Sequence, residues 1–240
     1  MTDSPVTGSP VTDTGLWAIA AQAPDRPAVI EPDGTVVSYA ELAGRADQIG
    51  RGLRALGLRP GDCVAGMLPN RSAALALFFA AMETGLYAVP VNWHLAAAEV
   101  GYILTDSGAA AFVADERFAA VAAAAADQAG IEPAARFAVG AVPGFTPLDR
   151  LGADGAGRPD ERTAGAPMVY TSGTSGRPKG VRRALTGQDP DSVPAASAWF
   201  FGLFGLAPFD GHVHLCCSPL YHTAVLNFAT ISSNSATRSC

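Results

Sequence analysis

"VYTSGTSGRPKG" (residues 169–180) holds Lys179, the only lysine of the 240-residue chain, against fifteen arginines. Gly173, Gly176 and Gly180 leave the backbone free to curl around an anion with successive N–H groups. Thr171, Ser172, Thr174 and Ser175 add four hydroxyl donors, and Pro178 fixes the approach to Lys179. A lysine ammonium is a compact point charge with three rotatable donors, suited to a phosphate that moves or leaves, whereas arginine imposes a fixed fork. The plainer alternative is a hairpin made of ordinary turn residues. Two other phosphate loops are excluded. A Walker A loop needs Gly directly before the lysine and Ser/Thr after it, where this chain has Pro178 and Gly180. A dinucleotide fingerprint opens a helix, whereas this segment runs from the strand-like "PMVYT" to "VRR". With no helix dipole to help, the hydroxyls and the lysine must carry the phosphate charge.

Working outward, strand and helix patterns alternate. "SYAE" is a capping box with Ser38 as N-cap and Glu41 three positions on. Leu42, Ala46, Ile49, Leu53 and Leu56 follow at spacings of 4, 3, 4 and 3, with Gly57 placed to end the helix. "DCVAGML" reads as a buried strand, "RSAALALFFAAMET" as an apolar helix stopping at Gly85, and "YAVPV" as a strand. Residues 95–105 read as helix, "AAAFVAD" as strand, residues 118–128 as an Ala-rich helix and "RFAVGAV" as strand. Residues 152–166 read as an exposed loop, residues 195–206 as helix and "HVHLCC" as strand. This order predicts an α/β domain, a mainly parallel sheet flanked by helices.

A net charge of −6 and a pI near 5.1 argue against nucleic acid or an anionic membrane as partner. Arg177, Lys179, Arg182 and Arg183 form a local basic cluster able to meet an anion; the alternative is a solvated basic turn. Cys63, Cys216, Cys217 and Cys240 have no CxxC spacing and read as reduced core residues. The first residues carry no signal-peptide pattern, and the longest apolar stretch, "AWFFGLFGLAPF" (198–209), is too short for a transmembrane segment, so the cytoplasm is expected. His212 and His214 alternate on a strand without a third ligand and read as structural. Trp199, Phe200, Phe201 and Phe204 read as core, with the wall of an acyl tunnel as the alternative.

"MVYTSGTSGRPKG" resembles the signature phosphate loop of the adenylate-forming superfamily of acyl-CoA synthetases, luciferases and amino-acid adenylation domains, position by position over residues 168–179. "VVSYAELAGRADQIGRGLRALGLRPGDCVAGMLPN" and "AMETGLYAVPVNWHLAAAEVGYILTDSGAAAFVAD" resemble its N-terminal half, so the likeness runs over residues 16–231. "CSPLYHTA" is similar to the next motif of the acyl-CoA ligases, with Val225 where many members have Gly. The resemblance implies ATP, Mg²⁺ and coenzyme A acting on a fatty or other small-molecule carboxylic acid. It implies that Ser172, Gly173, Thr174, Ser175, Gly176 and Lys179 hold the phosphates, that Thr171 also touches Mg²⁺, and that His222 lies by the acyl carboxylate. The family's metal-binding Glu, ribose-binding Asp and mobile C-terminal domain lie beyond residue 240. The expectation is therefore an incomplete N-terminal domain: a disordered leader (1–14), a partial AMP-binding domain (15–231), and a truncated or frameshifted tail (232–240). Such a fragment is expected to have little activity alone. Two alternatives stay open, a nucleotide- or acyl-binding module completed by a separately encoded C-terminal half, and an amino-acid adenylation domain.

Overall fold

A computed structural model describes residues 14–171 and 178–239. The expected leader lies outside these residues apart from Thr14, as do the loop residues 172–177 and Cys240.

Helix α1 (Leu16–Gln22) leads to the antiparallel pair β1 (Pro27–Ile30) and β2 (Val36–Ser38). Ser38 then caps α2 (Tyr39–Ala55): its Oγ accepts from the Glu41 N–H at 3.2 Å, and Glu41 Oε2 accepts from the Ser38 N–H at 2.8 Å. Leu42, Ala46, Ile49 and Leu53 form the expected buried stripe, whereas Leu56 is 38% exposed because the helix has already ended. Next come β3 (Cys63–Met67), α3 (Ser72–Thr84), β4 (Tyr87–Pro90), α4 (Ala97–Ser107), β5 (Ala109–Asp115), α5 (Ala119–Gln128), β6 (Arg136–Val139) and β7 (Thr146–Pro147). Gly85 ends α3 in the left-handed conformation, φ 72°, which a residue lacking Cβ adopts without strain. The chain continues through β8 (Ala166–Pro167), β9 (Val169–Thr171), β10 (Lys179–Val181), α6 (Val193–Gly202), β11 (Val213–His214), α7 (Thr223–Asn234) and β12 (Arg238–Ser239).

The main sheet has six parallel strands in the order β7-β6-β5-β3-β4-β8. Alternate residues face opposite layers. Val64, Ala88, Ala111, Val113 and Phe137 join the core under α2 and α3, while Cys63, Ala65, Met67, Val89 and Phe112 join the core under α4 and α5. The chain steps from β3 to β4, then returns across β3 to β5 and continues outward. Right-handed crossovers place α3 on one face and α4 and α5 on the other. The direction changes at β3, and the carboxyl ends of strands at such a switch point are where open α/β sheets bind ligands.

Four expectations need correction. "PMVYT" is not one strand: Ala166–Pro167 ends the six-stranded sheet, and Val169–Thr171 leaves it to pair with β10. "RFAVGAV" stops at Val139, where Gly140 turns the chain at φ 79°. "HVHLCC" is a strand only at Val213–His214. The cysteines are not all core, since Cys63 is buried but Cys217 is exposed.

The loop 152–166 is anchored rather than merely solvated. Its Arg162 Nε donates to Glu83 Oε2 at 3.1 Å, and Glu83, at the end of α3, is 0% exposed. Arg158 and Arg162 each close a two-bond fork on Asp191, with bonds of 2.8–3.0 Å, and both guanidiniums lie against the Trp17 ring. Hydrogen bonds from these arginines hold Asp191 down to about 2 against the burial that raises it. Burial and the neighbouring Asp47 push Glu83 up to about 8, and its second oxygen, Oε1, is buried without a hydrogen-bond partner among the described residues.

The segment expected as a tail continues α7 to Asn234 and closes as β12 between β1 and β11. Tyr39 OH donates to the Ser233 carbonyl at 2.8 Å, and the Leu16 N–H donates to Asn234 Oδ1 at 3.0 Å. No described helix is long and apolar enough to cross a membrane.

Candidate active site

β9 and β10 form an antiparallel pair in which Lys179 stands opposite Thr171, Gly180 opposite Tyr170 and Val181 opposite Val169. Both Thr171 and Lys179 are exposed, and the Lys179 side chain makes no hydrogen bond or ion pair among the described residues. Directly opposed residues of such a pair have Cβ atoms about 4.5–5.5 Å apart, so hydroxyl and ammonium can meet one anion. Ser172, Gly173, Thr174, Ser175 and Gly176, expected to hold phosphates, span from one to the other but lie outside the described residues.

The base of the hairpin is fixed to α4. Tyr170 OH donates to Asp106 Oδ2 at 2.7 Å, and Tyr102 OH lies 3.2 Å from the Pro178 carbonyl. Burial and the adjacent Asp106 carboxylate hold the Tyr170 phenol well above the usual tyrosine range, so it stays a neutral donor. A Cβ at Gly180 would overlap Met168 Cε and lie 3.0 Å from Tyr170 Cζ, so glycine here serves close packing rather than an unusual φ.

The expected basic cluster is described only in part. Arg177 lies outside the described residues. Arg182 turns back, with its guanidinium 4.4 Å from the Tyr87 ring centroid and Nη2 donating to the Gly61 carbonyl. Lys179 stands exposed within the hairpin, and Arg183 is exposed two residues past β10.

His222 is the N-cap residue of α7, exposed, with its ring 4.6 Å from that of Tyr221. Tyr221 meets Trp93 edge-on at 4.6 Å, and Trp93 stacks on Phe118 at 5.9 Å and 14°. Trp93 follows β4 and Phe118 follows β5, so this aromatic row crosses the carboxyl ends of the central strands. β8 runs parallel to β4 and leads towards the hairpin, while Tyr221, beside His222, reaches Trp93 just past β4. Trp93 and Asn70 are site residues that no sequence motif singled out. Asn70 donates from Nδ2 to the carbonyls of Cys216 (3.3 Å) and Ser218 (2.8 Å), and its Oδ1 accepts from the Leu220 N–H at 2.9 Å. The available signals were "LPN" and "VNW", each immediately after a buried strand.

Among the described residues no group of three His, Cys, Asp or Glu side chains could hold a metal. His214 Nδ1 sits 3.0 Å from Ser232 Oγ, and His212 Nε2 lies 3.1 Å from Asp210, in line with structural roles. The one described candidate for Mg²⁺ is the Thr171 hydroxyl. A hydroxyl beside a phosphate loop fits an ion that keeps several waters and takes most of its other ligands from phosphate. Of the aromatic stripe, Phe201 is buried and Phe204 exposed, both near Phe228; the Trp199 side chain lies outside those described.

Comparison with known proteins agrees with this geometry. The feruloyl-CoA synthase of an Amycolatopsis species is 37% identical over 170 residues, covering 70% of this chain and 32% of that protein. The long-chain-fatty-acid–CoA ligase FadD13 of Mycobacterium tuberculosis is 36% identical over 193 residues, covering 75% of this chain and 35% of that protein. Among solved structures, the N-terminal domain of FACL13 from Mycobacterium tuberculosis superposes with a TM-score of 0.70 at 30% identity, covering 93% of this chain and 55% of that one. The chain thus spans about a third of the length of these curated relatives. The pattern of the AMP-binding enzymes matches residues 16–235. That match spans most of the chain, and the chain belongs to the AMP-binding enzyme family.

Proposed function

We propose that this chain carries the nucleotide- and carboxylate-binding part of an ATP-dependent acyl-CoA ligase acting on a fatty or other organic acid. A carboxylate resists thiol attack because its charge repels the nucleophile and it has no viable leaving group. Transfer of AMP from ATP, with loss of diphosphate, supplies one, and the thiol of coenzyme A then displaces AMP. The first step gathers negative charge on the departing phosphates, where preorganised donors lower the barrier. Lys179, Thr171 and the loop residues Ser172, Gly173, Thr174, Ser175 and Gly176 meet that charge. Mg²⁺, when bound beside Thr171, would neutralise part of it. His222 orients the carboxylate or screens the α-phosphate. The reading places the chain in the cytoplasm, where both nucleotides are abundant.

The observation that carries this reading is the exposed Lys179 ammonium opposite Thr171, its side chain without a partner among the described residues. The test is calorimetric titration of the 240-residue protein with ATP and Mg²⁺, followed by assay of AMP release with candidate acids and coenzyme A. Saturable ATP binding that is lost in Lys179→Ala supports the reading. Absence of ATP binding, or binding indifferent to Lys179, overturns it.

A further inference from the structure

The strand expected over "HVHLCC" ends at His214, and the backbone beyond it has few ladder partners. Buried or half-buried backbone groups must still be satisfied somewhere. Between Cys216 and Leu220, one side chain takes on three of them. The Asn70 amide donates to two carbonyls two residues apart and accepts from the N–H two residues further on. A planar amide carries donor and acceptor on one rigid group, which a carboxylate or hydroxyl of this size cannot match. Asn70 itself stands three residues past β3 and directly before Arg71, the N-cap of α3, so it is held by the sheet and the helix together.

The clamp positions the residues immediately after it. Leu220 is buried in the same core cluster as Leu226, Leu68, Leu77 and Phe78. With Leu220 seated, Tyr221 reaches the Trp93 edge and His222 starts α7, its carbonyl accepting from the Leu226 N–H at 2.9 Å. From this arrangement we infer that Asn70 is a positioning residue: its amide fixes the register of residues 216–220 and thereby the place of Tyr221 against Trp93 and of His222 beside Tyr221. As a statement about catalysis this rests on the ligase reading; as a statement about geometry it does not.

The test uses Asn70→Asp, which keeps shape and the acceptor for Leu220 but sets a carboxylate oxygen against the two carbonyls. Two readouts are taken on the 240-residue protein. The first is the ¹³C-detected ring resonances of His222, assigned through His222→Gln. The second is calorimetric affinity for an acyl sulfamoyl adenosine, an unreactive mimic of an acyl-adenylate. Asn70→Asp is expected to move the His222 resonances and to weaken the mimic about 10- to 100-fold, through the loss of two hydrogen bonds to the 216 and 218 carbonyls. Asn70→Gln, with the amide on a longer stem, should recover part of both. Unmoved His222 resonances in Asn70→Asp overturn the clamp. If the parent protein fails to bind the mimic, the ligase reading fails instead, and the resonances still judge the clamp. Should Asn70→Asp not fold, Asn70→Ser takes its place with the same expected shift and the same overturning result.

Discussion

Lys179 stands directly across the β9–β10 pair from Thr171, so the two ends of the Ser/Thr/Gly loop meet as an ammonium facing a hydroxyl. The relationship follows from the antiparallel register, and it gives the single lysine a place where its mobility matters. Arginine is used everywhere else a cation is needed, including Arg182 beside Tyr87 and the forks on Asp191. Lys179→Arg therefore separates a solvated charge from a phosphate ligand. The expected result is unchanged thermal stability with ATP affinity lowered about tenfold, the loss of about 1.4 kcal/mol from one charge-assisted contact. Equal ATP affinity in parent and variant, by calorimetry, removes the phosphate role.

The hairpin is useful only if its base is fixed. Tyr170→Phe keeps the ring and deletes the bond to Asp106 Oδ2. A hydrogen bond to a charged group contributes about 1–2 kcal/mol, so the melting midpoint should fall by several degrees. ATP affinity should fall with it, because Thr171 is the next residue along β9. A variant that melts lower yet binds ATP normally would show that the anchor serves stability alone.

Gly165 makes a sharper steric claim. A Cβ there would overlap the carbonyl oxygens of Ala81 and Leu86, both backbone atoms of the α3–β4 turn. The Gly165 N–H also donates to the Met82 carbonyl at 2.8 Å, fixing the approach of the chain that enters β8. Gly165→Ala must push two backbone segments apart and is expected to cost about 3 kcal/mol or more. Urea denaturation measures this directly, and a loss below about 1 kcal/mol would mean that the turn yields.

Much of this architecture is written in local pattern. Ser38 with Glu41, the 3–4 stripe of α2, Gly85 after α3 and the apolar runs of β3 to β5 each mark a boundary that neighbouring residues enforce. The Ser/Thr/Gly loop and the "SPLYHTA" segment could be read as motifs because each is contiguous. What escaped depends on partners remote in sequence. "LPN" is a generic strand exit until residues 216–220 arrive, 146–150 positions later, to meet Asn70. Arg158 and Arg162 sit in a Gly- and charge-rich stretch whose composition indicates solvent, while Glu83 lies 79 residues before Arg162. The serines of residues 232–235 look like surface, yet Ser232, Ser233 and Ser235 are buried, with Ser233 Oγ donating to the Ala229 carbonyl at 3.0 Å.

Glu83, buried beside the half-buried Asp47, is expected to give the protein a pH response. Burial and Asp47 raise Glu83 from an ordinary glutamate value of 4.5 to about 8, against the pull of Arg162. Between those two values the folded protein holds a proton that the unfolded chain has released, so rising pH favours unfolding. Stability should therefore decline from about pH 5 to about pH 8, by roughly 1.4 kcal/mol per pH unit where the linkage is complete. Asp191 works at the other end: its depressed value contributes stability above the ordinary aspartate value of 3.8 that is lost as pH falls towards about 2. Glu83→Gln keeps the shape, lets the amide donate to Asp47 and leaves its oxygen to accept from Arg162 Nε. The variant should lose most of the decline between pH 5 and 8 and exceed the parent in stability at pH 8. Urea denaturation at each pH measures both curves. Parallel curves for parent and variant would assign the buried proton to a group other than Glu83.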